Sequence, residues 1–144
     1  IDVVFKNVLE TNIKNPIKSF GLSVLEFLNI NEWEISVLIC DDITIKDLNS
    51  QFRSKDEPTD VLSFNQDLVS IGNIVYAGDI VISLERVKYH AKTYNVDCNE
   101  ELKRVLIHGI LHLNGMDHET NSVDEEMLQV QEAILTSISG EKII

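Results

Sequence analysis

Apolar residues alternate with polar ones in short runs through the first half of the chain, and this alternation predicts β-strands. In WEISVLIC, residues 33–40, every second position is apolar, as expected for a strand that is half to fully buried. The runs VLSF and IVYAGDIVIS predict two further strands, punctuated by Gly72-Asn73 and Gly78. The opening IDVVF predicts an edge strand. We therefore expect a sheet that contains at least one close pair of strands.

Three helices are predicted in the first two thirds of the chain, from apolar residues at intervals of three and four. The first follows Pro16, a residue type that favours the first turn of a helix. The second is preceded by Asp41 and Asp42, which offer an N-cap, and the third runs from Leu84 through Tyr94. The polar segment RSKDEPTD after the second helix is predicted to be a loop, because its proline biases the preceding residue away from helix.

Two more helices are predicted towards the end of the chain. Asp97 with Glu100 resembles a capping arrangement for the helix ELKRVLIHGILHLN, and Gly115 is well placed to end that helix in the left-handed conformation. Ser122 with Glu125 predicts a capping box for the last helix. Strands thus come mostly early and helices late. This order favours an α+β fold whose sheet is covered mainly on one side by helices.

The composition indicates a single soluble domain. The chain has 144 residues with no repeat or linker, so residues 1–144 are expected to form one domain. No apolar run approaches the roughly 20 residues that cross a bilayer, which excludes a membrane helix. The segment IDVVFKNVLE lacks the basic region of a signal peptide, and two cysteines do not suggest a disulfide framework. We therefore expect a cytoplasmic protein with free thiols.

The formal net charge of −12 weighs against a nucleic-acid partner, since nucleic-acid binders usually carry a basic surface. The charges are unevenly distributed, however. No lysine or arginine lies between Arg104 and Lys142, whereas most basic residues come earlier in the chain. The distribution therefore leaves room for a local basic face on an acidic protein.

Three of the four histidines lie within the eleven residues HGILHLNGMDH, at 108–118. His108 and His112 are four positions apart on a predicted helix, about 40° apart around its axis, so their imidazoles can converge on one ion. His118 follows the turn at Gly115 and can approach from the loop side. Three neutral imidazoles leave a fourth position for water, which is how catalytic zinc is held. The alternative is two core histidines and a third that is exposed by chance.

The spacing matches the metzincin zinc frame at every fixed position but one. At that position Gly109 replaces the general-base glutamate of the HExxH metalloproteases. Proteolysis is therefore disfavoured, although metal ligation is not. The glycine is also expected to remove bulk beside the metal. The remaining histidine, His90, is interpreted as an ordinary residue of the preceding amphipathic helix.

With these motifs the chain resembles the YbeY family of metal-dependent bacterial endoribonucleases. The family pattern H-G-x-L-H-L-x-G-x-D-H fits residues 108–118 throughout. A second pattern, L-N-x-x-Y/F-R-x-K-D-x-P-T-D/N-V-L-S-F, fits LNSQFRSKDEPTDVLSF at 48–64, and a G-D-I strand is found at 78–80. The three marks span most of the chain in the expected order. The chain differs from the usual family sequence at Phe52, where tyrosine is common.

The resemblance implies an α+β fold with a small mixed sheet and a metal ion, most often zinc, held by His108, His112 and His118. It also implies a single-strand-preferring RNA cleavage activity that matures the 3′ end of small-subunit ribosomal RNA and serves ribosome quality control. The implied partners are RNA, the small ribosomal subunit and its assembly factors. An arginine matching Arg53 is functionally important in the family.

Arg53 begins the polar loop after the second predicted helix. Its guanidinium could bind a phosphate in a bidentate manner and stabilise charge that develops on phosphorus. It could instead cap the preceding helix or pair with Asp56 or Asp60. The residues alone leave these roles open, and the resemblance favours phosphate binding. Lys55 is a candidate for the same anion-binding surface, whereas Asp79 and Asp117 are interpreted as structural.

The predicted mechanism is metal-assisted cleavage of a phosphodiester, with Arg53 balancing charge in the transition state. No general base is identifiable in the sequence, so attack by an internal 2′-hydroxyl stays an alternative to hydrolysis. Two other functions are also open. One is a metal-dependent peptidase or amidohydrolase, which Gly109 disfavours, and the other is a non-catalytic, zinc-stabilised ribosome-assembly factor.

Overall fold

The computed structural model of the protein describes residues 1–116, 125–138, 140 and 142–144. This part of the chain contains four strands, five α-helices and one short 3-10 helix at Thr11–Ile13. In chain order the strands and α-helices are β1 (Asp2–Phe5), α1 (Lys14–Phe27), β2 (Trp33–Cys40), α2 (Asp42–Arg53), β3 (Val61–Ile71), β4 (Ile74–Ser83), α3 (Leu84–Thr93), α4 (Cys98–Leu113) and α5 (Glu126–Ser137).

The four strands form one mixed sheet in the order β1-β2-β4-β3. β1, β2 and β4 are parallel, and β3 runs antiparallel to β4. Gly72 and Asn73 join β3 to β4, and Gly72 has the positive φ of 63° that a tight hairpin turn requires. The predictions of a mixed sheet, of β1 as an edge strand and of a close strand pair are confirmed. β3 forms the other edge of the sheet.

The main core lies between one face of the sheet and helices α1, α3 and α4, with α5 packed on α4. The inward-facing positions of β2 alternate as the sequence predicts, and Ile35 and Ile39 of β2 join Ile80 and Ile82 of β4 in this core. α2 packs on the opposite face, where Ile45 joins a smaller cluster with Cys40, Leu62 and Val81. The described helices therefore cover mainly one side of the sheet, in an α+β arrangement.

Two of the three predicted N-caps can be compared with the structure. The Asp41 carboxylate accepts a hydrogen bond from Thr44 N at 3.1 Å and caps α2. Asp97 occupies the N-cap position of α4, but its side chain makes no capping bond there. Instead, the backbone carbonyl of Asp97 accepts from Glu101 N at 3.0 Å.

The last helix starts later than its sequence predicts. α5 begins at Glu126, with Glu125 in the N-cap position, and the Glu125 side chain makes no capping bond. The predicted N-cap, Ser122, lies outside the described residues.

The two cysteines are free, as expected. Cys40 is buried at the end of β2, and desolvation raises the pKa of its thiol to about 12. The pKa of Cys98 is also raised, again mainly by burial. Both thiols therefore stay protonated at neutral pH. Among the helices of the described residues, none is long and apolar enough to span a membrane.

Candidate metal centre and its cavity

The centre of the candidate site is a pair of histidines near the end of α4. His108 and His112 are both half-buried, and their rings lie 4.6 Å apart between centroids at an interplanar angle of 74°. Their Nε2 atoms are 3.0 Å apart, so both nitrogens point at the same place. Two nitrogens bound to one tetrahedral zinc ion at roughly 2.0–2.1 Å lie about 3.4 Å from each other. The imidazoles therefore fit a shared divalent cation with little adjustment.

The turn after the histidines is formed as predicted. Gly115 has φ 86°, and its N–H donates to the carbonyl of His112 at 3.0 Å. The N–H of Met116 donates to the carbonyl of Leu111, also at 3.0 Å. These two bonds make a Schellman motif, which ends α4 and reverses the chain directly beyond His112.

The third predicted ligand cannot be placed relative to this pair. His118 and its neighbour Asp117 lie outside the described residues. Within the described ranges, no group of three His, Cys, Asp or Glu side chains is arranged to hold a metal ion. The structure thus brings together two of the three expected ligands, and ligation by His118 stays a prediction.

Arg53 lies beside the histidines although it is far from them in sequence. It is the last residue of α2, and its Nη2 donates to the carbonyl of Ser63 in β3 at 2.7 Å. Its guanidinium also lies over the ring of Phe64, 5.6 Å from the centroid. Because a guanidinium has five N–H donors in a rigid plane, the bond to Ser63 orients the whole group.

The carboxylates that were considered as partners of Arg53 pair elsewhere. Asp60 lies 3.5 Å from His90 Nδ1, and Asp56 lies 4.0 Å from the Lys46 ammonium. Asp79 accepts from Gln66 and borders an apolar groove on the α2 side of the sheet. The contact of Asp79 agrees with its structural interpretation.

Arg53 and both histidines line one open cavity of about 340 Å³ at the β3 edge of the sheet. A second cavity, of about 620 Å³, lies on the other side of His108 and is lined by Lys55, His90 and Arg104, among other residues. His108 and Val61 line both cavities. His108 therefore lies between two polar cavities, and the second carries the acidic side chains of Asp60 and Glu101 beside its basic ones.

A functional residue that sequence reasoning missed is Gln131 on α5. Its side chain is buried at 6% exposure, and its Oε1 lies 2.6 Å from His108 Nδ1. The only signal in the sequence is its spacing, because Gln131 occupies the buried stripe between Met127 and Ile134, where an apolar residue is expected. A buried polar side chain in such a stripe needs a hydrogen-bond partner, and the sequence alone does not indicate which residue that is.

The amide group of Gln131 is itself held by two charged residues. Its Nε2 donates to Glu132 Oε2 at 3.2 Å. The guanidinium of Arg104 binds both carboxylate oxygens of Glu132, at 2.9 and 3.1 Å. Partial burial raises the pKa of Glu132, but the hydrogen bonds from Arg104 and Gln131 outweigh it and hold that pKa below its usual value. Glu132 is therefore ionised at neutral pH.

Gly109 has a different role from the one expected. A β-carbon placed on Gly109 would lie 2.9 Å from Ile80 Cγ2 and 3.1 Å from Ile80 Cδ1, on the sheet. The missing side chain thus allows α4 to approach β4 closely, and the space it leaves is taken by Ile80. This corrects the expectation that the glycine leaves room beside the metal.

We expect Gly109→Ala to destabilise the protein. Crowding against the stiff, β-branched Ile80 costs about 1–3 kcal/mol, which exceeds the gain of about 1 kcal/mol in helix propensity. In an Ile80→Ala background the same change should become neutral or stabilising, because the crowding atoms are gone. Urea unfolding of the four proteins measures this coupling. Equal destabilisation by Gly109→Ala in both backgrounds would contradict the close contact.

Comparisons with known proteins place the chain among related sequences. The family model described as Endoribonuclease YbeY matches residues 4–139. A protein from Treponema denticola named Endoribonuclease YbeY is 50% identical, over 88% of this chain and 84% of the relative. One of the same name from Borreliella burgdorferi is 49% identical, over 90% of this chain and 92% of the relative. A solution structure of a Thermotoga maritima protein superposes with a TM-score of 0.65 at 29% identity, covering 93% of this chain and 85% of that one.

Proposed function

The chain belongs to the YbeY family of endoribonucleases, and from this premise we propose that it cleaves single-stranded RNA at a metal centre formed by His108, His112 and His118. The resemblance indicated by the sequence motifs is confirmed, and the protein is an endoribonuclease whose substrate is RNA. This assignment decides against the peptidase and the non-catalytic assembly factor. The observation that carries the proposed site is the convergence of two imidazole Nε2 atoms in a cavity that Arg53 also lines.

The donor set favours zinc as the cation. Neutral imidazoles suit zinc among the common divalent ions, and three of them leave a coordination position open for water or substrate. When bound, the cation supplies Lewis-acid polarisation of a phosphoryl oxygen and activation of a water molecule. We propose that His118 completes the ligand set from the segment that follows the turn at Gly115.

Arg53 is proposed to bind the scissile phosphate. Its bond to Ser63 and its contact with Phe64 hold the guanidinium plane at the cavity that both histidines line. As an oxygen nucleophile attacks phosphorus and the leaving P–O bond breaks, negative charge grows on the non-bridging oxygens. A guanidinium fixed beforehand stabilises that charge without reorganising during the reaction.

The second cavity offers a path for the rest of the strand. An RNA chain that crosses His108 meets Arg53 on one side and Lys55 on the other. These two basic side chains offer local contacts for phosphates, although the second cavity also contains Asp60 and Glu101 and the whole protein carries a net charge of −12. We propose that the protein, as one domain of residues 1–144, acts in the cytoplasm on ribosomal RNA of the small subunit, at its 3′ end, together with assembly factors and in ribosome quality control.

Removal of the metal should abolish RNA cleavage. We expect protein treated with a strong chelator to lose activity on a single-stranded oligoribonucleotide, and about one equivalent of zinc per chain to restore it. A duplex of the same sequence serves as the control substrate and should be cleaved much more slowly. Full activity at a metal content near zero would contradict the proposed site. End-group analysis of the products tests the chemistry, because a 2′,3′-cyclic phosphate would exclude direct hydrolysis by water.

A further inference from the structure

The contact between Gln131 and His108 allows only one assignment of the shared hydrogen. The amide oxygen Oε1 can only accept, so His108 Nδ1, 2.6 Å away, must carry the proton and donate it. In the neutral imidazole the other nitrogen, Nε2, then carries no hydrogen and presents its lone pair. This same Nε2 faces the Nε2 of His112 at 3.0 Å, where the cation is proposed to bind.

The orientation of the amide is fixed by its second partner. Gln131 Nε2 donates to the Glu132 carboxylate, which can only accept while it is ionised. If the amide were turned over, its oxygen would face that carboxylate and two acceptors would repel each other. Arg104 keeps Glu132 in place by binding both of its oxygens. The charged pair therefore determines which end of the amide reaches His108.

A chain of hydrogen bonds joins the packed helices α4 and α5, and its members are Arg104, Glu132, Gln131 and His108. Arg104 and His108 are four positions apart on α4 and so lie on the same side of that helix, facing Gln131 and Glu132 on α5. The amide is buried at 6% exposure, where an unsatisfied polar group costs free energy. Burial restricts water from taking the place of Gln131 as the acceptor of His108 Nδ1–H.

We propose that Gln131 is a positioning residue, which holds His108 in the Nδ1–H tautomer so that its Nε2 lone pair is directed at the metal position. The inference rests on the proposed function of the histidine pair. Metal-bound histidines in proteins commonly donate their second ring nitrogen to an oxygen acceptor, and loss of that acceptor lowers metal affinity about 10–100-fold. Here the acceptor is a neutral amide, whose direction is set by an adjacent ion pair.

The test compares two substitutions in the full-length chain. Gln131→Met keeps the length of the side chain and removes the acceptor, whereas the double exchange Gln131→Glu/Glu132→Gln keeps an oxygen acceptor for His108 Nδ1–H and a donor–acceptor pair between positions 131 and 132. We expect the dissociation constant for zinc, measured by competition with a chromophoric chelator, to rise about 10–100-fold in Gln131→Met. In the double exchange Gln131→Glu/Glu132→Gln it should stay within about threefold of wild type, by rescue of the same hydrogen bond.

A second readout separates positioning from a purely structural role. Long-range ¹H–¹⁵N spectra of ¹⁵N-histidine protein, recorded before zinc is added, report which ring nitrogen of His108 carries the proton. Wild type and the double exchange Gln131→Glu/Glu132→Gln should show the Nδ1–H form, and Gln131→Met should lose it. Gln129→Met makes the same chemical change on the exposed side of α5 and should alter neither the tautomer nor zinc affinity.

The outcomes distinguish this inference from the proposed function. Wild-type zinc affinity in Gln131→Met, or an unchanged His108 tautomer, would overturn the role of Gln131 even if RNA cleavage needs the metal. A weaker zinc affinity in Gln131→Met at an unchanged melting temperature supports it. If zinc binds as inferred but its removal leaves RNA cleavage intact, the proposed function fails while the positioning role stands.

Discussion

His112→Ala should abolish zinc binding and RNA cleavage together while the protein stays folded. His112 supplies one of the two Nε2 atoms that converge, and no other described side chain replaces it at that position. Mutation of a residue that merely orients a metal ligand lowers metal affinity or activity about 10–100-fold. Loss of a ligand itself should therefore reduce cleavage by at least about 100-fold. The ring is only half-buried, so its truncation removes few core contacts.

The experiment needs a matched histidine variant and parallel purification. His90→Ala removes an imidazole from α3 that pairs with Asp60, and this variant should keep its zinc. Zinc per chain is measured by elemental analysis and cleavage by a fluorescent single-stranded RNA. Equal cleavage by wild type and His112→Ala, purified side by side, would show that the nuclease activity comes from a contaminant.

Arg53→Lys should reduce the rate of cleavage about 10²–10³-fold while zinc content stays normal, the size of effect seen when one donor to a developing oxyanion is lost. Lysine keeps the charge but lacks the planar set of N–H donors of a guanidinium, so it cannot bind the Ser63 carbonyl and a phosphate in the same geometry. Arg53 lies on the surface, so we expect only a small change in stability.

The control for Arg53→Lys is the same exchange at another arginine. Arg86 binds Asp42 at 2.8 Å and lies over the ring of Tyr89, outside both cavities at His108. Arg86→Lys should therefore leave the single-turnover rate close to that of wild type. A fully active Arg53→Lys would remove Arg53 from the mechanism, whereas a loss of zinc in that variant would assign Arg53 to the architecture of the site.

Local patterns in the sequence predicted the elements and their ends where the deciding contacts are themselves local. Alternation in β2 predicted its inward face, Asp41 caps α2, and Gly115 closes α4 with bonds that stay within five residues. Asp97 shows the limit of this reasoning. It has the predicted capping position, yet the bond from its side chain did not form, because a capping residue type does not fix the rotamer.

What the sequence could not predict depends on which elements are neighbours. The placement of β4 between β2 and β3 depends on which strands pair, and periodicity reports only the face of a strand, not its partner. The contact of Gly109 with Ile80 and that of Gln131 with His108 both join distant segments. The two convergent histidines, by contrast, were predictable, since helix geometry alone brings residues four apart together.

The bond from Arg53 to Ser63 has a further consequence for solubility. β3 is an edge strand, and exposed edges are templates on which other chains can pair and aggregate. A charged side chain bonded to the backbone of such a strand hinders that pairing, so we expect Arg53 also to limit self-association of the sheet. The residue proposed to hold RNA is thus also expected to disfavour aggregation, and Arg53 variants belong in assays at low protein concentration.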